Sequence, residues 1–577
     1  MKKLFLAFAA VAVTLFSCQK PATPADDSGK KDDTEQQGEV EDKITLLSDQ
    51  LVNVGAESVI VTVKFTATAD WTVTVDEDYA SFLVPKDKSG KAGENIELKV
   101  TVQSLTEEDG PGRIGQLVIK AGKAEAEVGF MQGKVFIVSE DVTLGIDGGT
   151  AEFQVITNLE YTFKKYDGAE DAFPWAPVTF DKESGKGSMA VAKNGEYDAR
   201  YAYVKFTIPA IQDPVYDDDG QPTGETQDHV VRFYVYQAGN AKEEWKSYLA
   251  EGFNVAEGAN ATVAMFNGKL LVSDGVKVYE VDPKTGAFTG TLATGDLPVQ
   301  SIANDDEGNL LFANLGAYGA LFDVYAVKAS DKDLANPVRL IHFVNDAWSG
   351  STGIDKVAAR GNVFGNGVVS AMYGGVISYG GLSYTIYWAI NGGKAAEEYY
   401  NEWNPVVNPT TSGWLTTPDL GDDLWCSNRA AFVPAGASAS DGFFYGGYDG
   451  LYNVYYHNST GWQIAIEGAG DWAGGPQGMH GITWNGKKIL VVAQMGYVWW
   501  SEGWGMPGYL WVVDVTSPTS PAVLSKATYV SDSQQVISGD TENSSVDVLP
   551  VVDGNDLVVY FLDSSHGALT KVKFPKL

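Results

Sequence analysis

Cysteine is nearly absent: the 577 residues hold two, Cys18 and Cys426. A disulfide-stapled scaffold is thereby excluded. If Cys18 is modified, no disulfide can form within the chain, and Cys426 reads as a small buried hydrophobe. Histidine is also rare, with five scattered at His229, His342, His457, His480 and His566. Basic residues fall short of acidic ones, 41 against 75, for a net charge of −34. That balance excludes nucleic acid as a partner, because phosphates need a basic surface. Long apolar runs are missing too. Leu4–Phe16 has thirteen residues, fewer than the ~20 a membrane-spanning helix requires. No G-x-S-x-G, H-E-x-x-H or P-loop occurs. Gly503–Gly508 and Gly110–Gly115 fit G-x-G-x-x-G, but neither opens a helix, so both are chance matches.

Other residue types are plentiful. Hydrophobic content is 44%, enough for large cores, and Gly 64 with 12% aromatics suits a turn-rich β protein. At roughly 100–200 residues per domain, the length suggests three or four domains.

The N-terminus reads as an export signal: basic Met1-Lys2-Lys3, the apolar stretch, then Leu15-Phe16-Ser17-Cys18. This resembles the lipobox of bacterial lipoproteins, which implies a signal peptide over 1–17 and lipid on Cys18. Gln19–Asp42 carries eight acidic residues and three lysines and almost nothing apolar. Residues 18–42 are expected to be a disordered acidic tether reaching at most ~80 Å. An acidic stretch after the Cys loosely resembles the surface-export signal of Bacteroidetes lipoproteins.

Residues 43–133 and 134–240 look like two copies of one module. The first has an alternating run, Val61 to Trp71-Thr-Val, then Ser89-Gly90, Arg113-Ile-Gly-Gln-Leu-Val-Ile and a closing Gln132-Gly133. The second has Gly149 to Asn158 with Tyr161, then Ser184-Gly185, Tyr201-Ala-Tyr-Val-Lys-Phe and a closing Gln237-Ala-Gly239. About seven short alternating strands per copy argue an immunoglobulin-like β-sandwich. The ordered set resembles the BACON module of Bacteroidetes, whose name implies carbohydrate binding and whose role can equally be that of a spacer. Trp71 sits in an alternating run and is expected in the core. Asp217-Asp-Asp-Gly220 lacks the ligand spacing of a calcium loop and reads as a solvated hairpin tip.

From residue 241 to 577 the pattern is that of a β-propeller, traced as six blades. Asn267-Gly268 and Asn485-Gly486 each separate two alternating runs, a strong hairpin signal. Pro476–Val530 shows a whole blade of four runs in order. The last blade, Asn543–Phe574, offers only three. Its missing outer strand is expected from Trp245–Val255, which would close the ring. Segment 404–426 fits no blade, so five or seven remain open.

Eleven of fifteen tryptophans lie between Trp388 and Trp511. Trp484 and Trp511 fall in alternating runs and are expected in the core. Trp403, Trp414, Trp472, Trp499, Trp500 and Trp504 fall in Gly- and Pro-rich segments where burial is harder. An indole face suits the apolar face of a sugar ring. Asn401, Asp471, Gln477 and Glu502 lie near enough in sequence to bond its hydroxyls. His480, with a channel carboxylate, is the first place to look for catalysis, and the abundant carboxylates identify no acid–base pair. The expectation is a lipid-anchored, cell-surface glycan-binding protein of the outer membrane, its sandwich modules acting as spacers and the propeller as head. Its partners would be a polysaccharide or host glycan and other outer-membrane glycan-uptake proteins. No cofactor or metal is expected. The alternatives are a propeller polysaccharide lyase or glycoside hydrolase, and a protein-binding adhesin or scaffold.

Overall fold

The computed structural model describes residues 42–577 apart from 167–172, 218–219, 256–259, 317–318, 345–352, 375–383, 396–412, 417–430, 448–452, 470–474, 495–496, 500–503, 507, 529–544 and 565–566. The described residues form β-strands and two short 3-10 turns, so the fold is all-β. The chain divides into two units, Met1–Lys193 with Arg200–Ala238, and Asn194–Ala199 with Gly239–Leu577.

The first unit holds two modules with the same strand pairing. In the first, Ile44–Leu46, Val59–Ala67, Gly93–Val102 and Leu83–Pro85 make one sheet. Leu51–Val54, Ala124–Gly133, Gly112–Ala121, Trp71–Val75 and Ser89–Gly90 make the other. In the second, the order Phe136–Val138, Gly149–Thr157, Lys186–Val191, Val178–Asp181 repeats the first sheet. Val142–Leu144, Pro222–Gln237, Arg200–Tyr216 and Thr162–Lys164 repeat the second, including its one parallel pairing. Alternating residues of both sheets face one core, with Val63, Phe65, Leu98 and Val100 opposite Trp71, Leu117, Ile119 and Phe130.

The closing glutamines have a physical reason. Gln132 and Gln237 are fully buried. Arg113 Nε donates to Gln132 Oε1 at 2.9 Å, and Arg200 Nε to Gln237 Oε1 at 2.8 Å. Each amide then donates to a loop carbonyl, Gln103 O at 2.7 Å and Ala192 O at 2.9 Å. Each guanidinium covers an aromatic ring, Phe82 at 4.2 Å and Trp175 at 4.0 Å. One clamp is thus built twice. Trp71 is in the core as expected. Ser89-Gly90 is a short strand paired to Trp71–Thr72 and not a turn. A Cβ on Gly90 would fall 2.5 Å from the Trp71 ring, so the indole lies flush on the glycine. The Asp217–Gln221 tip closes a long hairpin, with Asp217 N–H donating to Gln221 O at 2.9 Å.

Among the described residues the second unit is a β-propeller of six antiparallel blades, five of four strands and the third of five. The innermost strands are Thr262–Phe266, Ser301–Asn304, Gly353–Gly361, Ala431–Pro434, Pro476–Trp484 and Val546–Asp553. Asn267-Gly268 and Asn485-Gly486 carry positive φ at both positions (49° and 71°; 50° and 77°), the twist a two-residue hairpin needs. The sixth blade takes its outer strand from Lys242–Tyr248, which pairs antiparallel with Ala568–Phe574. That strand starts earlier than the expected Trp245–Val255 and ends at Tyr248, where the pairing to Ala568 stops. In blade three, Gly413–Thr416 also pairs with Tyr384–Asn391, which places part of the unassigned 404–426 segment.

Side chains stitch the innermost strands into a ring. Thr262 Oγ1 accepts from Ile302 N at 2.9 Å, Ser301 Oγ from Val357 N at 3.0 Å, and Ser545 Oγ from Ala261 N at 2.8 Å. Ser370 Oγ donates to Phe432 O at 2.7 Å. Buried backbone groups at the inner edge of each blade need such partners. The Thr262–Ile302 and Ser545–Ala261 pairs join the starts of adjacent innermost strands, and Gly478 packs against Val546 and Asp547 at the start of the sixth blade's, so these strands run the same way around the channel.

Candidate functional site

That shared direction fixes the two faces of the ring. In blade five, Pro476 pairs with Gln494, Gln494 with Tyr509, and Tyr509 with Thr528, so all four strands have one end at a common rim. The connection from the second to the third strand leaves and returns there, as does the passage to the next blade. The tight Asn485-Gly486 turn lies at the opposite rim.

The sequence candidates distribute unevenly over this frame. Trp499 and Trp504 are register partners in a two-stranded hairpin, Tyr497–Trp499 with Trp504–Met506, set between Gln494 and Tyr509. They lie in strands and not in an open loop. Trp500 and Glu502 lie outside the described residues. So do Asp471 and Trp472, which fall between Ile466 and Pro476, two strand ends at the same rim. Trp414 is in the Gly413–Thr416 strand, paired to Ile386, and Thr416 reaches this rim beside Tyr384. Trp403, Asn401 and Cys426 lie outside the described residues. The connection carrying Trp403 starts from Ala395, at the other rim, so topology does not group it with the rest. Gln477 is fully buried with its amide unpartnered, and offers nothing to a surface ligand.

Trp484 and Trp511 are core residues, as the alternation predicts. Trp484 Nε1 donates to Asn555 O at 2.9 Å, and Trp511 Nε1 to Gln494 Oε1 at 3.3 Å. Both find the partner that a buried indole N–H requires.

The channel is occupied by charge. Lys356, buried on a bulge of blade three with φ 50°, reaches across to Gln477 O of blade five and to Val546 O of blade six, the latter at 3.0 Å. Asp547 accepts from Val263 N at 2.9 Å. Burial pushes its carboxyl up to about 6, against the pull of Lys356. His480 lies within the innermost strand of blade five. Its Nδ1 is 3.0 Å from Gly481 O, and its ring hydrogen-bonds no carboxylate among the described residues. Burial first, then the Arg360 charge, holds it below the usual histidine range. Sequence reasoning missed Lys356 and Asp547, because buried charges in a strand resemble any polar position on an exposed face.

Residues 252–575 match the model of a family described as "Domain of unknown function (DUF8500)", and the chain belongs to that family. No curated protein matches it. Among solved structures it is similar to a DUF4623 family protein from Bacteroides eggerthii, at 11% identity over 77% of this chain and 96% of that one, TM-score 0.38. It is also similar to the six-bladed fucose-recognising lectin of Aleuria aurantia, at 11% identity over 54% and 90%, TM-score 0.30. A third likeness is to a Bacteroides ovatus GH5 xyloglucanase in complex with a XXXG heptasaccharide, at 11% identity over 18% and 27%, TM-score 0.14.

Proposed function

We propose that this protein binds carbohydrate through the tryptophan-bearing connections at one rim of its propeller. The observation that carries the proposal is topological. The segments holding Trp472, Trp499, Trp500 and Trp504 leave and rejoin the fold at strand ends on the same rim. Trp414 lies two residue pairs from blade three's edge of that rim. Several indoles at one rim suit successive sugar rings, each offering an apolar face to an aromatic plane. Asp471 and Glu502 would accept from sugar hydroxyls. A surface adhesin would use the same rim for protein. The test is a glycan array followed by calorimetry. The Trp499→Ala/Trp500→Ala variant should weaken binding at least about tenfold, since one stacked aromatic pair contributes on the order of 1 kcal/mol. Unaltered affinity in that variant would remove the rim from consideration.

In this reading the two sandwich modules are BACON-type spacers, and lipid on Cys18 holds the chain to the outer membrane with the head at the cell surface. Labelling cells with an alkyne-bearing palmitate should tag the protein, and Cys18→Ala should lose the tag. Persistent labelling of that variant would refute the anchor.

A further inference from the structure

The outer face of the second sandwich copy is paved with tyrosine. Register pairs Tyr201 with Tyr236 and Tyr203 with Tyr234, so the four side chains share one side of the sheet. Ala202, Val204, Phe233 and Val235 alternate with them and fill the core on the other side. The rings pack on one another. Centroids lie 5.4 Å apart for Tyr203 and Tyr234, and 6.1 Å for Tyr201 and Tyr234. Tyr234 and Tyr236 are 5.8 Å apart with planes 18° from parallel. Phe173 supports Tyr203 edge-on at 5.6 Å. Cross-strand packing accounts for the inner pair. It does not account for Tyr201 and Tyr236, which stay 54% and 43% exposed.

The fold does not demand these rings. The paired Arg113–Gln132 and Arg200–Gln237 align the two copies. The first copy then has Ile114 and Met131 where the second has Tyr201 and Tyr236, and Gln116 and Gly129 where it has Tyr203 and Tyr234. Ile114 and Met131 are buried against Val135, Ile137 and Ile156 of the second copy. One face is thus a covered contact in the first copy and an open aromatic floor in the second. Charge borders that floor. Lys164 pairs with Lys205 and Lys205 with Arg232, a cationic row across three strands about 7 Å from the Tyr203–Tyr234 pair. Lys164 is exposed at the end of the row, and the Arg232 guanidinium lies 5.6 Å from the Tyr203 ring. Asp141 lies on the opposite flank, where it accepts from Tyr234 N at 2.8 Å. In a chain of net charge −34, this row runs against the background.

We propose that this face binds an acidic polysaccharide. Sugar rings lie on Tyr201 and Tyr236, and uronate carboxylates turn toward the row that begins at Lys164. The second copy is then a binding module as well as a spacer. The proposal does not rest on the tryptophan rim, which belongs to the other unit. Affinity electrophoresis of the full-length protein through polygalacturonate gels tests it, with the Trp499→Ala/Trp500→Ala variant as background so that the rim is silent. That variant should be retarded by polygalacturonate and not by neutral hydroxyethyl cellulose. Adding Tyr201→Ala/Tyr236→Ala should weaken the retention at least about tenfold, with unchanged thermal melting. Adding Tyr201→Phe/Tyr236→Phe, which keeps the rings, should preserve it, and Lys164→Glu should weaken it. If only the parent is retarded and the rim variant is not, the rim proposal stands and this one falls. Retention that survives Tyr201→Ala/Tyr236→Ala overturns it, as does equal retention by the neutral polymer. Competition by single-stranded DNA as strong as that by oligogalacturonate also overturns it, since the face would then read phosphate.

Discussion

Asp547 shows what a single side chain does to the whole fold. In the unfolded chain its carboxyl titrates near 3.8, and in the ring near 6. Between those values the folded protein holds a proton that the unfolded chain has released, so stability falls as pH rises through the window. Above about 6 the carboxylate is ionised in both states and the full cost stands; below about 4 it vanishes. The shift corresponds to roughly 3 kcal/mol at most. Asp547→Asn keeps an acceptor for the Val263 amide and removes the titration. Urea unfolding at a series of pH values should show the variant gaining on the parent by up to about 3 kcal/mol between pH 4 and 7. A difference that stays flat with pH would contradict the assignment. Legibility differed sharply among such residues. Trp71, Trp484 and Trp511 were readable as core because alternation alone marks the inward face. Gln132 and Gln237 were readable as a recurring pattern, but their clamp was not, since each arginine partner lies 19 or 37 residues away. Lys356 and Asp547 left no signal, because nothing local records that they face a channel made by distant strands.

Elements were read better than residues wherever the turn chemistry was strong. Blade five was legible almost strand for strand, from Pro476–Trp484 to Ala522–Thr528, because Asn485-Gly486 and the Pro-rich turn punctuate it. Blade three was not, since its fourth position is shared by Lys394–Ala395 and Gly413–Thr416 and no short turn joins them. The ring's closure was legible in kind but offset in position. Lys242–Tyr248 completes the sixth blade, and Trp245 seals it, with Nε1 3.1 Å from Pro283 O and its ring 6.0 Å from that of Tyr560. Trp245→Ala should cost about 2–3 kcal/mol, somewhat below the cost of removing a fully buried indole. Deleting Lys242–Tyr248 should abolish the cooperative thermal transition of the propeller, because Ala568–Phe574 becomes an open edge. A deletion variant that melts as the full chain does would mean the seam carries no stability.

For the molecule as a whole, the sequence marked the repeat of modules and of blades, and the clustering of tryptophan. It could not mark which clustered tryptophans share a rim. That property belongs to strand direction around a closed ring: the segment that carries Trp403 leaves from Ala395 at one rim, and those that carry Trp472 and Trp499–Trp504 leave from Ile466 and Gln494 at the other. The central proposal is that carbohydrate binds at this rim through Trp472, Trp499, Trp500 and Trp504. Oxidative footprinting of the full-length protein with mass spectrometry tests it most directly, using a polysaccharide selected on the glycan array. The account predicts rapid oxidation at Trp472, Trp499, Trp500 and Trp504 in the free protein, slow oxidation at Trp71, Trp388, Trp484 and Trp511, and protection of the first group when polysaccharide is added. Slow oxidation of all four rim tryptophans before any ligand is present would contradict it.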